Sequence, residues 1–98
     1  LAVSQDSLAK QAVTIAKNGD ARVLARDLED GSKAVGLFNT GTNGTITVTV
    51  NWSDLKLTGK QTVRDVWRQK DLGQFADKFE LSIPSHGAEL VKISARKQ

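Results

Sequence analysis

Cysteine, methionine and tyrosine are all absent from this sequence, and proline occurs once, at Pro84. Without cysteine there is no disulfide, no zinc–thiolate site and no thiol nucleophile. The compartment stays open, because secreted and periplasmic domains also exist without cysteine. A chain that lacks methionine and begins Leu1-Ala2-Val3 reads as a piece cut from a longer protein. Long apolar runs are missing too. Nothing approaches the roughly 18 residues that a membrane-spanning helix needs, and the N-terminus lacks the basic-then-apolar order of a signal peptide. No membrane partner is expected. Histidine occurs once, at His86, so a metal site would rest on carboxylates around it, and no spacing suggests one. No cofactor is expected either.

What remains is an ordinary globular composition. With 39% hydrophobic and 26% charged residues, 98 residues suffice for one domain with a modest core. The net charge of +3 could suggest a nucleic-acid partner. Its distribution argues against one: basic residues stand singly among acids, as in Arg64-Asp65 and Lys70-Asp71, and only Arg96-Lys97 are adjacent. Nucleic-acid binders concentrate Lys and Arg on one face with aromatics between them. A mixed, solvated surface is the reading.

Along the chain, Ser7–Lys17 is Ala-rich and fits a short helical turn capped by Asp6 or Ser7. From about Val13 β-branched residues take over. Strands are expected over Val13–Ala16, Ala21–Leu28 and Lys33–Asn39, with Glu29-Asp30-Gly31-Ser32 as a tight turn that uses the positive φ open to Gly31. The run Ala34–Phe38 is apolar enough to be buried on both faces. The cleanest alternation is Thr45–Trp52, with Ile46, Val48, Val50 and Trp52 on one face and Thr45, Thr47, Thr49 and Asn51 on the other. Gln61–Arg68 reads as the next strand, Lys70–Gly73 as a loop, Lys78–Ile83 as a strand stopped by Pro84, and Ala88–Ser94 as the last. Ala95–Gln98 reads as a frayed tail. Seven or eight short strands with frequent turns predict an all-β antiparallel sandwich.

Few residues offer chemistry. His86 lies in Pro84-Ser85-His86-Gly87, where its ring would hydrogen-bond nearby backbone and fix the turn, the alternative being a catalytic or ligand role. Most of the eleven acids sit in turns. Asp65 is the exception: it lies inside a strand between Val63 and Trp67, on the inward face. A buried carboxylate needs a partner, which Arg64, Arg68 or amides of the next loop could supply, so Asp65 reads as a structural tie. Flat indoles stack on sugars, which makes Trp52 and Trp67 the candidates for carbohydrate binding. Both fall in phase with buried positions, which favours core packing. By themselves the residues describe an antiparallel β domain without a visible active site.

Several stretches, in order and spacing, resemble the end of family 27 glycoside hydrolases, the α-galactosidase (melibiase) group. They are Leu1–Leu8, Leu28–Asn39, Asn51-Trp52-Ser53-Asp54-Leu55, Val63-Arg64-Asp65-Val66-Trp67-Arg68 with Lys70-Asp71-Leu72-Gly73, and Pro84-Ser85-His86-Gly87-Ala88. Together they cover nearly the whole chain. Two departures, Ser4 where the family usually has Asn and Ser7 where Pro is common, leave the subfamily and sugar preference open. The resemblance implies a retaining parent enzyme with a (β/α)₈ barrel that uses two aspartates on terminal α-linked galactose. This chain would be the Greek-key sandwich that follows the barrel. Residues 1–11 would end the segment leaving the barrel, and 12–98 would form the sandwich. No motif here matches either aspartate, so no catalytic residue is carried over. The expected partner is the barrel of the same chain. Alternatives are a binding module for α-galactosides and a generic Ig-like interaction domain.

Overall fold

The computed structural model describes residues 13–28 and 31–95. The expected helical turn lies outside them up to residue 12, and from Val13 the chain is strand. Eight strands follow: β1 Val13–Asn18, β2 Ala21–Asp27, β3 Lys33–Asn39, β4 Ile46–Asn51, β5 Gln61–Asp65, β6 Lys70–Phe75, β7 Lys78–Ile83 and β8 Ala88–Ala95. All pairings are antiparallel. Six strands form one sheet in the order β1-β2-β3-β8-β5-β6, and β4 with β7 form a second.

The chain changes sheets after β3, β4, β6 and β7, and β8 returns to lie between β3 and β5. That return is the Greek-key crossing the resemblance implied. It brings Val35 opposite Val91 and Asp65 opposite the same Val91 from the other side. The last strand in sequence is therefore central in space.

The core lies between the sheets. Val23 and Ala25 of β2, Val35 and Leu37 of β3, Val63 of β5, and Val91 and Ile93 of β8 meet Val48 and Val50 of β4 and Phe79 and Ile83 of β7. Period-two alternation puts these side chains on one face of each strand. Leu37, Val48 and Ile83 are fully enclosed. The expected double burial of β3 holds, because Ala34, Gly36 and Phe38 face the opposite side. There Ala34 joins Leu90, with Leu28, Phe38 and Val66 packed against them, as a small cluster on the outer face of the large sheet.

Three expectations need correcting. The strand read as Gln61–Arg68 stops at Asp65, and Val66–Gln69 form a turn. The loop read at Lys70–Gly73 is the start of β6, since Asp65 pairs with Lys70 and Arg64 with Asp71 across a tight connection. Finally, Trp52 does not extend β4. It opens a short 3₁₀ turn, Trp52–Leu55, closed by Lys56 in the left-handed region.

Candidate functional site

Turns at one end of the sandwich hold most of the residues that the sequence marks. Asn39, the last residue of β3, is 2% exposed. Its amide Nδ2 donates to the carbonyls of Gly44 and Ile83, and its Oδ1 accepts from the Gly41 amide. The neighbouring Thr40 donates from both N and Oγ1 to the Asp20 carbonyl, and Ser85 Oγ donates to Gly41 O. Three loops are thus tied to one side chain and its neighbours.

His86 sits in the third of these loops with φ 59° and is exposed. Its ring has no hydrogen-bond partner among the described residues. The turn is fixed instead by the Gly87 amide, which donates to Pro84 O at 2.8 Å, and by Ser85. Gly87 itself cannot carry a side chain cheaply, since a Cβ would come within 2.8 Å of Pro84 O. At the other end of the molecule Gly31 has φ 88°, as the hairpin expectation required, and donates its amide to Leu28 O.

Asp65 is buried at the end of β5. Its Oδ1 accepts from the Arg68 amide at 2.9 Å and its Oδ2 from Arg68 Nη1 at 2.7 Å. Burial alone would raise its pKa. The amide and guanidinium of Arg68, with the Trp67 amide, outweigh burial and hold the carboxyl below the usual aspartate range. The same Nη1 also donates to Glu89 Oε1 at 2.8 Å, so two carboxylates meet on one guanidinium. Glu89 first, then Asp65, push the Arg68 pKa up further. Arg64, the other partner the sequence offered to Asp65, turns away to Asp71 Oδ1 and the Gln69 carbonyl.

The two tryptophans part company. Trp52 is 2% exposed, and its indole Nε1 donates to Phe75 O at 2.8 Å, beside the edge-to-face pair of Phe75 and Phe79. Its ring face is spent on the core. Trp67 is 46% exposed. The inward phase expected for it fails, because β5 ends two residues earlier and the turn resets the alternation.

Chemically, the paired side chains at this end of the molecule brace its turns. An acid catalyst working near neutral pH needs a raised carboxyl pKa, and Asp65 is shifted the other way. Asp27, on the wall of an open groove of about 470 Å³ that also includes Asp54 and Leu55, is bound by Lys33 Nζ and likewise lowered. Among the described residues no group of three or more His, Asp or Glu side chains could hold a metal ion. Sequence reasoning missed Asn39 and Glu89. Asn39 carried a faint signal, a polar residue closing an apolar strand before Thr40-Gly41. Glu89 carried none, since its partner is 21 residues away.

Fold and site together define an antiparallel Greek-key β-sandwich domain in which two carboxylates, Asp65 and Glu89, converge on a shared arginine. More particularly, the chain belongs to the family described as "Alpha galactosidase C-terminal beta sandwich domain", which matches residues 18–93. It is 31% identical to a probable α-galactosidase of Dictyostelium discoideum over 96% of this chain and 26% of that one. Among solved structures it is similar to α-galactosidase I from Mortierella vinacea, with TM-score 0.76 and 29% identity, covering 87% of this chain and 24% of that one. A β-L-arabinopyranosidase from Geobacillus stearothermophilus in complex with arabinose superposes with TM-score 0.82 at 26% identity, covering 88% of this chain and 20% of that one. The chain spans 26% and 24% of the length of the Dictyostelium discoideum and Cyamopsis tetragonoloba relatives and 17–18% of that of the Aspergillus ones.

Proposed function

We propose that this domain is a non-catalytic accessory domain of a glycoside hydrolase that removes terminal α-linked galactose. Its role is to pack on the catalytic (β/α)₈ barrel of the same chain and stabilise it. Residues 12–98 form the accessory sandwich, and residues 1–11 belong to the segment that joins it to the barrel. The observation that carries this reading is the family match over residues 18–93, within relatives named as α-galactosidases that are about four times as long or more. The ion-paired state of Asp65 and Asp27 supports the non-catalytic half of it. A second reading, a module that binds galactosides, is favoured by one observation, the exposed indole of Trp67.

The test compares the full parent chain, expressed from its gene, with a version ending before residue 12 and with the 98 residues alone. Hydrolysis of p-nitrophenyl α-galactoside is expected from the full chain and absent from the 98 residues. The truncated version is expected to unfold at a lower temperature. Turnover by the 98 residues alone would overturn the accessory role.

A further inference from the structure

Trp67 is the one tryptophan or phenylalanine among the described residues that the fold leaves exposed to solvent. Exposure of a single indole would mean little on a flexible loop. This one stands on a turn braced from three strands. The Val66 amide donates to Leu90 O of β8, Asp65 of β5 holds both the amide and the guanidinium of Arg68, and Arg68 reaches on to Glu89 of β8. Arg64 binds the Gln69 carbonyl and Asp71 of β6, while Gln69 takes φ 54° to close the turn. A side chain displayed on a frame already ordered loses little further freedom when it binds. Tryptophan is also the residue type most often found as the anchor of an interface.

The surroundings decide between a protein and a sugar as occupant. A sugar on an indole needs free polar groups beside the ring to bind its hydroxyls. Here the carboxylates around the turn are held by arginines: Asp65 and Glu89 by Arg68, and Asp71 by Arg64, which also binds the Gln69 carbonyl. The neighbouring Val66 packs against Ala34 and Leu90 in the cluster that Leu28 and Phe38 also border, on the outer face of the large sheet. The frame offers an exposed indole next to half-buried Val66 and bordered by ion pairs, which suits a protein partner.

Building on the accessory role proposed above, the geometry points to Trp67 as the anchor by which this domain docks on the catalytic part of its own chain. The relatives are about four times as long as the matched region or more, so a large covalently linked partner is at hand. Linkage raises its effective concentration enough for one anchor and its rim to hold the two parts together. The domain contributes the indole, and the barrel contributes an apolar recess for it.

Hydroxyl-radical footprinting of the full parent chain reads this directly, with Trp52 as the buried internal reference. In the docked state Trp67 oxidises as slowly as Trp52. Oxidation of Trp67 on the order of tenfold faster than Trp52, as 46% against 2% exposure requires for an open indole, overturns the anchor. Fast oxidation that galactose or melibiose slows gives Trp67 to sugar binding and overturns it as well. Trp67→Ala, made in the parent, should open the docked interface about 30-fold more often, seen as faster amide exchange across Val66–Gln69, with Trp67→Phe in between. Exchange that does not change in Trp67→Ala counts against the anchor. Activity of the same parent on p-nitrophenyl α-galactoside tests the proposed function separately, so failure of one reading is distinguishable from failure of the other.

Discussion

Asn39 shows how much one polar side chain can organise when its whole hydrogen-bonding capacity is used. Its amide nitrogen bonds two carbonyls from different segments, and its oxygen accepts the Gly41 amide; the bonds to Ile83 and Gly41 are buried, and that to Gly44 is part-buried. Replacing it with leucine keeps the volume and removes every one of those bonds. Gly41 N and Ile83 O then lose their buried partner, at about 1–3 kcal/mol each before relaxation, whereas Gly44 O, on an exposed residue, can turn to water. Asn39→Leu is therefore expected to lower stability by about 3 kcal/mol, measured as a shift in urea midpoint without a change in slope. At this scale the sequence was only partly legible. Gly31 announced its positive φ through the Asp-Gly turn signal. Asn39 and Asp65 are both buried polar residues, yet only Asp65 stood in the interior of an expected strand and so drew notice, while Asn39 closed one. The His86 ring was given a fastening role that Ser85 and Gly87 perform, because a histidine in a turn says nothing about which neighbour reaches the backbone first.

At the scale of elements, the β5–β6 connection is where reading and structure differ most. Val63-Arg64-Asp65-Val66-Trp67-Arg68 alternates well enough to be one strand, yet Asp65 captures the Arg68 amide and turns the chain three residues early. A side chain that offers the backbone a local partner competes with the ladder. The same carboxylate makes the turn sensitive to acid. Its folded pKa lies below the unfolded value of about 4, so its stabilisation is complete above that pH and fades as pH falls through the folded pKa. Asp65→Asn is expected to be less stable than the parent sequence at pH 7, by about 1 kcal/mol given that Arg68 is largely exposed. The gap should close below about pH 4 as Asp65 itself is protonated. Thermal unfolding of both proteins between pH 7 and pH 2 checks this, and a gap that persists at low pH would mean that the charge is not what stabilises the turn. Elsewhere the elements were well announced. The Thr45–Trp52 alternation became β4, shorter by its two ends, and the apolar run of β3 is buried on both faces, as its composition demanded.

For the whole molecule, the order of strands in the large sheet sets both stability and folding. β8, the last strand in sequence, lies between β3 and β5 and supplies Val91 and Ile93 to the core. Every central pairing thus waits for the end of the chain, and contacts of such long sequence separation slow folding. Deleting residues 88–98 is expected to leave no folded domain, with a collapsed amide spectrum and no cooperative unfolding. A dispersed spectrum from the shortened chain would show that β1–β7 are sufficient alone. The sequence by itself determined the class of fold, because period-two alternation, frequent turn residues and the want of any long amphipathic helix leave little but an antiparallel sandwich. It also determined, through the order of its motifs, the family to which the chain belongs. Only the tertiary structure decided which strands are neighbours and which of the two tryptophans faces water. Alternation gives the face of a strand and not its partner, and it loses phase at the first unannounced turn. One tryptophan therefore closes the core, while the other, two residues past the end of β5, stands open on a frame of paired charges.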